Sequence, residues 1–289
     1  MRLLLLFFLT VSTLLSQKVE IEILGSGGPE LDGRASSSYI LWIDDQARLL
    51  VDIGSGSMLG FEKSNAKLKT LEAVVLTHLH IDHSVDLPSF VKAGFFSSRT
   101  EGLDIVGPFG NESFPSISEY LMKLFGPDGA YKYMQDVLTP QSDSFQIIPF
   151  EVNSNTVLTK KYKTFELQFI NVHHGRVPSL ALRINVAGKS IVISGDTNNK
   201  NKNLNVLSKN ADLFIAHHAI TSHSGKFAKD LHMEPSQIAT IAAQSTVKKI
   251  VLSHRMKRTL IYEKESLKII NSVFNGEVIF AEDAMRLRL

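Results

Sequence analysis

The most constraining feature of this 289-residue chain is the run Thr-His-Leu-His-Ile-Asp-His at residues 77–83. It directly follows the apolar segment 71–76, Leu-Glu-Ala-Val-Val-Leu, which predicts a β-strand. Three imidazoles and one carboxylate provide the nitrogen and oxygen donors that zinc accepts. In extended backbone the first two histidines point the same way, so the aspartate and the last histidine can turn toward a second ion. The run predicts a metal site at the end of a strand, where α/β sheets commonly place their sites.

The composition narrows the chemistry that this chain can perform. It contains no Cys, which excludes disulfides, thiolate zinc sites, iron–sulfur clusters and a cysteine nucleophile. Lys and Arg number 31 against 29 Asp and Glu, and the resulting net charge of +2 indicates no strongly charged partner. With 44% hydrophobic residues, the chain is long enough to bury a core and is not globally disordered. Catalysis must therefore use histidines, carboxylates and hydroxyls.

The first 16 residues predict an export signal. Arg2 precedes an apolar run that stops near Leu15, and the small residue Ser16 marks a plausible cleavage point. The alternative is an uncleaved membrane anchor, but a spanning helix needs about 20 apolar residues. We expect a signal peptide at residues 1–16 and a periplasmic or secreted protein with no stable membrane span after cleavage.

The remainder, residues 18–289, predicts a single α/β domain, because no linker or charge block divides it. Its strands fall in two blocks, before residue 76 and after residue 165, which suggests two sheets covered by helices. Segment 108–144 separates these blocks and is expected to be an insertion or a lid. The predicted strands are 19–24, 38–43, 47–52, 71–76, 165–172, 181–186, 189–194, 212–216, 248–253 and 278–282, and the predicted helices are 116–125, 130–138 and 262–275.

Further histidines and an aspartate follow three of these strands. His173 and His174 come after the strand at 165–172, Asp196 comes after the strand at 189–194, and His254 comes after the strand at 248–253. Four strand ends that carry His or Asp predict one shared site. Adjacent residues on a strand face opposite sides, so the residues alone leave His173 and His174 both open as ligands.

Taken together, these motifs resemble the metallo-β-lactamase superfamily. The run at 77–83 matches the T-H-x-H-x-D-H signature of that superfamily, Ser-Gly-Asp-Thr at 194–197 resembles its bridging-aspartate motif, and Leu-Ser-His at 252–254 resembles its last ligand. The resemblance implies a four-layer αββα sandwich of two mixed sheets, with metal ions at one edge between the sheets.

The resemblance also implies a ligand set for two divalent ions, with zinc as the expected metal. Asp196 would bridge the ions, and Asp52 would support the ligand loop from behind by accepting a second imidazole N–H. His174 is preferred to His173 because residues 174–184 resemble the His-G-x-V-P-x-x-A-x-R segment of one branch. One ion would be bound by His78, His80 and His174, and the other by Asp82, His83 and His254.

Segments 24–41, 80–90 and 232–254 resemble the ribonuclease Z and arylsulfatase-like branch. The histidine core is also similar to that of class II cyclic-nucleotide phosphodiesterases. This branch implies that His232 donates a proton to the leaving oxygen and that Asp82 orients or deprotonates the attacking water. The loop after the strand at 212–216 carries three candidate substrate contacts, His217, His218 and His223.

We therefore expect a metal-dependent hydrolase that cleaves phosphodiester or sulfate ester bonds through a hydroxide shared by two ions. The alternatives are a lactonase or β-lactamase and a tRNA 3′-processing endonuclease. A tRNA substrate is disfavoured because no Gly-rich basic arm lies between His83 and His174, and because we expect export. The expected substrate is a small-molecule or nucleotide ester rather than a nucleic acid, and the relatives imply a homodimer.

Overall fold

The computed structural model describes residues 17–140 and 145–289, so the predicted signal peptide lies outside the described residues. The strands are β1 Val19–Gly25, β2 Ser38–Ile43, β3 Gln46–Val51, β4 Ala73–Val75, β5 Leu103–Pro108, β6 Ile147–Val152, β7 Leu158–Lys161, β8 Glu166–His174, β9 Val177–Val186, β10 Lys189–Ile193, β11 Leu213–His217, β12 Lys249–Ser253, β13 Glu277–Phe280 and β14 Met285–Arg288. The helices are α1 Ser57–Lys63, α2 Ile81–Ser84, α3 Leu87–Gly94, α4 Ile117–Phe125, α5 Asn203–Ser208, α6 Lys226–Leu231, α7 Pro235–Gln244, α8 Lys257–Leu260 and α9 Glu263–Asn271, with 3-10 segments at Leu68–Thr70 and Lys132–Leu138.

The strands form two mixed sheets with mirrored organisation. The first sheet has the order β14-β1-β2-β3-β4-β5-β6, antiparallel from β14 to β3 and parallel from β3 to β6. The second has the order β13-β12-β11-β10-β9-β8-β7, parallel from β13 to β10 and antiparallel from β10 to β7. Each sheet therefore carries one antiparallel half and one parallel half.

Both faces of the inner strands of each sheet are buried, which explains why those strands are so apolar. In β2 all six residues are buried: Tyr39 and Leu41 face the core between the sheets, whereas Ile40 and Trp42 face the outer helices. The second sheet has the same arrangement, because a separate apolar cluster joins its outer face to α5, α7 and α9. Helix, sheet, sheet and helix form four layers, so the expected αββα sandwich is confirmed.

The middle of the chain differs from the prediction. Strands β5 and β6 join the first sheet from this region. The prediction that no strand lies between residues 76 and 165 was therefore wrong. Helix α4 begins at a capping box of Ser116 and Glu119, and its residues Ile117, Leu121 and Phe125 pack on the first sheet. The predicted helix at 130–138 is a 3-10 segment. The described part of 108–144 thus contributes to the outer helical layer, which corrects the expectation of an insertion or lid.

The topology brings several strand ends to one edge. Strands β10, β11 and β12 are parallel, and β8 runs in the same direction because two antiparallel pairings separate it from β10. Across the gap between the sheets, the residues after β4 are tied to β9 by a hydrogen bond from Leu180 N to the Thr77 carbonyl, 2.8 Å long. Within the described residues no helix is long and apolar enough to cross a membrane.

Candidate metal centre

Asp196 lies at the centre of the candidate site. It follows β10, is 2% exposed, and its Oδ2 atom is surrounded by imidazole nitrogens. The separations are 3.5 Å to His254 Nε2, 3.7 Å to His232 Nδ1, 3.8 Å to His83 Nε2, 3.8 Å to His174 Nε2 and 3.9 Å to His78 Nε2. These separations are too long for hydrogen bonds. They suit ions placed between the donors, since zinc lies about 2.0–2.2 Å from such nitrogen and oxygen atoms.

Unpartnered nitrogens point to the same conclusion. The buried Nε2 atoms of His83 and His174 have no hydrogen-bond partner among residues 17–140 and 145–289. Buried polar atoms are normally satisfied, so such atoms need a physical explanation. A bound cation supplies one because neutral imidazole is a metal ligand. The donor set therefore fits divalent metal ions.

The candidate ligands form two groups, and Asp196 Oδ2 lies 3.5–3.9 Å from imidazole nitrogens of each group. One contains His78, His80 and His174, whose donor atoms lie within 4.8 Å of one another. In the other, Asp82 Oδ2 lies 3.1 Å from His254 Nε2 and 3.6 Å from His83 Nε2. The structure thus brings together the two predicted sets around one carboxylate.

Strand register separates the two adjacent histidines that the sequence left open. His174 donates through Nδ1 to the Leu231 carbonyl, 2.9 Å away, which leaves Nε2 directed at Asp196. His173 instead has Nδ1 at 3.1 Å from Asn198 Oδ1. The structure places His174 in the cluster and His173 outside it.

Asp52 orients residues 77–83, the segment that carries four of the proposed ligands. It is fully buried with φ of 57°, a conformation that non-glycine residues rarely adopt. Its carboxylate accepts hydrogen bonds from Thr77 N at 2.7 Å, Thr77 Oγ1 at 2.9 Å and His83 Nδ1 at 2.7 Å. Because Nδ1 of His83 is occupied, its Nε2 is the nitrogen that faces the cluster.

His217 is the residue whose position differs most from expectation. The sequence placed it in a loop as a substrate contact, but it is the last residue of β11 and is buried. Its Nδ1 lies 2.8 Å from Asp196 Oδ1, and its Nε2 lies 3.1 Å from Tyr39 Oη. The Tyr39 hydroxyl is also 2.9 Å from Ser253 Oγ. His217 therefore restrains the central carboxylate, a role that the sequence did not reveal.

The other two histidines of that predicted loop do not join the cluster. His218 is buried, with Nε2 at 3.0 Å from Ser266 Oγ. The exposed His223 pairs with Glu265, 2.9 Å away. These contacts correct the expectation that His217, His218 and His223 form one substrate-facing loop.

His232, the predicted proton donor, lies between α6 and α7 at the edge of the cluster. It is 7% exposed, and its ring centroid is 5.2 Å from that of His174. Its Nδ1 has no hydrogen-bond partner among the described residues. Burial, partly offset by the charge of Asp196, lowers the pKa of His232 to about 3. Without bound ions and substrate, this imidazole is neutral at pH 7.

The ionised Asp196 and the neutral His78 suit metal binding, whereas His83 is protonated in the metal-free cluster. Burial opposes ionisation of Asp196, but the surrounding histidines, led by His254 and His232, hold its pKa well below the usual value. Burial lowers the pKa of His78, which keeps it neutral. For His83 burial acts in the same direction, but the carboxylates around it, led by Asp52, raise its pKa to about 10. Ionised carboxylates and neutral imidazoles are the forms that bind metal, so His83 must release a proton on metal binding.

The fold and this site define a metal-dependent hydrolase of the metallo-β-lactamase superfamily, similar to ribonuclease Z. The sequence profile described as "Anti-Pycsar protein Apyc1" matches residues 19–272, and the chain belongs to that family.

Individual proteins show the same similarity. Ribonuclease Z of Enterococcus faecalis is 27% identical over 289 aligned residues, which cover 86% of this chain and 91% of the relative. The metallo-β-lactamase fold protein YhfI of Bacillus subtilis has a TM-score of 0.73 at 22% identity, with 94% of this chain and 100% of YhfI covered. The short form of human tRNase Z has a TM-score of 0.69 at 22% identity, with 93% and 98% covered. At these identities the two solved structures support the fold.

Proposed function

We propose that this protein hydrolyses a phosphodiester bond in a small nucleotide substrate, with two divalent ions, most simply Zn²⁺, bound by the histidine and aspartate cluster. The observation that carries the proposal is the convergence of five imidazole nitrogens on Asp196 Oδ2. Four of them belong to the proposed ligands, and the fifth belongs to His232. The cluster therefore combines a complete donor set with one histidine left over for proton transfer.

When bound, the two ions would supply Lewis acidity and a lowered pKa for water. The protein would supply geometry and proton transfer. His217 holds one oxygen of Asp196, so the other oxygen stays directed at both ligand groups. Burial opposes ionisation of Asp82, but His83 and His254 hold its pKa below the usual value, so the carboxylate is ionised and can orient the attacking water.

His232 is proposed to protonate the leaving oxygen. It is neutral in the free protein, and an anionic phosphodiester beside it would raise its pKa, because a nearby negative charge favours the protonated imidazole. The proton would then move from the imidazole to the alkoxide or phenoxide as the bond to phosphorus breaks. An anionic ester would therefore favour the protonated form of His232 that its cleavage requires, whereas an uncharged lactone or lactam would not.

An RNA substrate is a second candidate, because curated relatives at 22–27% identity are ribonuclease Z enzymes. Two features of this chain favour the small substrate. The net charge is +2, whereas binding along a nucleic acid depends on neutralising several phosphates. The 90 residues between the ligands His83 and His174 also contain no Gly-rich basic arm. Export directed by residues 1–16 remains part of the proposal and would separate the protein from cellular tRNA.

The proposal is tested by comparing substrates on the zinc-loaded protein that lacks residues 1–16. We expect turnover of bis(p-nitrophenyl) phosphate to exceed that of p-nitrophenyl sulfate, nitrocefin and a tRNA precursor. Asp196→Asn should abolish turnover, and His232→Ala should lower kcat for phosphodiesters while zinc content stays unchanged. His223→Ala is the matched control, because that histidine is exposed and lies outside the cluster. Preferred cleavage of nitrocefin or of the tRNA precursor would contradict the proposal.

A further inference from the structure

A half-buried aromatic side chain stands beside the candidate metal centre. The ring centroid of Phe114 lies 6.1 Å from that of His80, with an angle of 64° between the ring planes. His80 is itself partly exposed, unlike His78. Phe114 therefore borders the accessible side of one proposed ligand group.

The backbone around Phe114 holds this ring in place. Asn111 Oδ1 accepts hydrogen bonds from the backbone N–H groups of Ser113 and Phe114, both at 2.9 Å, and Asn111 N donates to the Phe114 carbonyl at 2.8 Å. Asn111 Nδ2 also donates to the Arg176 carbonyl at 2.9 Å. Arg176 lies two residues after His174, in the turn between β8 and β9. A hydrogen bond thus joins the segment that carries Phe114 to the turn that follows the proposed ligand His174.

Phe114 also lines an open groove, to which none of the proposed metal ligands contributes. Its volume is about 830 Å³, and its lining combines apolar side chains, including Phe114, Pro115 and Met122, with the polar side chains of Glu112 and Lys123. Met122 is 51% exposed, so this surface is not covered by the described part of the chain. The volume falls within the range of sites that bind small ligands.

From this arrangement we infer that Phe114 stacks against the nucleobase of the substrate, with the phosphodiester at the metal centre and the base over the groove. The inference rests on the proposed function and adds a binding subsite to it. Stacking suits this position because every base has a π-face, whatever its hydrogen-bonding edge. The subsite should therefore favour nucleotides over esters without a base, and it should tolerate different bases.

The test compares two chromogenic esters with the same leaving group, thymidine 5′-(p-nitrophenyl phosphate) and methyl p-nitrophenyl phosphate. Loss of stacking by Phe114→Leu should raise KM for the thymidine ester by about 5- to 150-fold, the equivalent of about 1–3 kcal/mol. KM for the methyl ester should change less than about threefold, because no base is lost. Phe114→Tyr should restore the wild-type KM, and the exposed Phe96→Leu serves as the control outside the groove.

A second measurement does not depend on turnover. Calorimetric titration of the zinc-loaded protein with thymidine 5′-monophosphate should show the same loss of affinity in Phe114→Leu, whereas ribose 5-phosphate should bind both proteins equally. Equal changes for both esters, or no change for either, would overturn the stacking role while the proposed function stands. Failure of the wild-type protein to hydrolyse either ester would overturn the proposed function and this inference with it.

Discussion

Replacement of Tyr39 by Phe should weaken metal binding although Tyr39 is not itself a proposed ligand. The Nδ1 atom of His217 lies 2.8 Å from Asp196 Oδ1, and its Nε2 atom lies 3.1 Å from Tyr39 Oη. Tyr39 Oη donates to Ser253 Oγ at 2.9 Å. This chain of hydrogen bonds fixes the Asp196 carboxylate.

The expected size follows from these contacts. Tyr39→Phe removes two buried hydrogen bonds and leaves Ser253 Oγ and His217 Nε2 without a partner, which should cost about 2 kcal/mol in the free energy of unfolding. Loss of a group that is hydrogen-bonded directly to a ligand typically lowers metal affinity by about 10- to 100-fold, and Tyr39→Phe, which acts through His217, should lie near the smaller value. Zinc affinity would be measured by competition with a chromogenic chelator, and stability by urea denaturation of the metal-free protein.

Tyr162→Phe is the matched control. Its hydroxyl donates to Asp104 Oδ2 at 3.0 Å, and Asp104 belongs to β5 rather than to the cluster. This variant should lose stability by about 1–2 kcal/mol and retain the zinc affinity of the wild type. Zinc affinity within twofold of wild type in Tyr39→Phe would refute the argument that the chain of hydrogen bonds orients Asp196.

Chelation should lower the melting temperature, because ions at 100 times their Kd stabilise the fold by about 2.7 kcal/mol per site; equal melting curves with and without chelator would contradict metal binding. Burial lowers the pKa of His218 from 6.5 to about 4, so the folded state binds fewer protons than the unfolded state below pH 6.5, and stability falls as the pH falls. At pH 5 this loss amounts to about 2 kcal/mol relative to pH 7.5, and His218→Gln should remove it in urea denaturation. Finally, a Cβ at Gly54 would lie 2.2 Å from the Asp82 carbonyl oxygen, so Gly54→Ala should destabilise the protein by about 1–3 kcal/mol, whereas Gly225→Ala, with open space around it, should not.

Local motifs made the four-layer fold and much of the site predictable. The run at 77–83 contains four proposed ligands within six residues, so their proximity is determined by the sequence itself. His174 and His254 were detectable because each follows an apolar strand. Strands β7 and β14 were missed because their residues are alternately exposed, which makes their composition polar.

Contacts between distant segments were not predictable. Tyr39 and His217 are separated by 178 residues, and nothing near Tyr39 in the sequence marks it as a partner of a histidine. The difference between His217 and His218 depends on where β11 ends, and a one-residue error would exchange their environments. Phe114 acquires its position from the pairing of Asn111 with the turn between β8 and β9, which is likewise a tertiary contact.

The proposed function requires that the donors on both sides of Asp196 each hold a metal ion. Anomalous diffraction at the zinc absorption edge, from crystals of the zinc-loaded protein, tests this most directly. We predict two peaks on either side of Asp196, one among His78, His80 and His174 and the other beside the group of Asp82, His83 and His254. A single peak, or two peaks that do not share Asp196, would contradict the account.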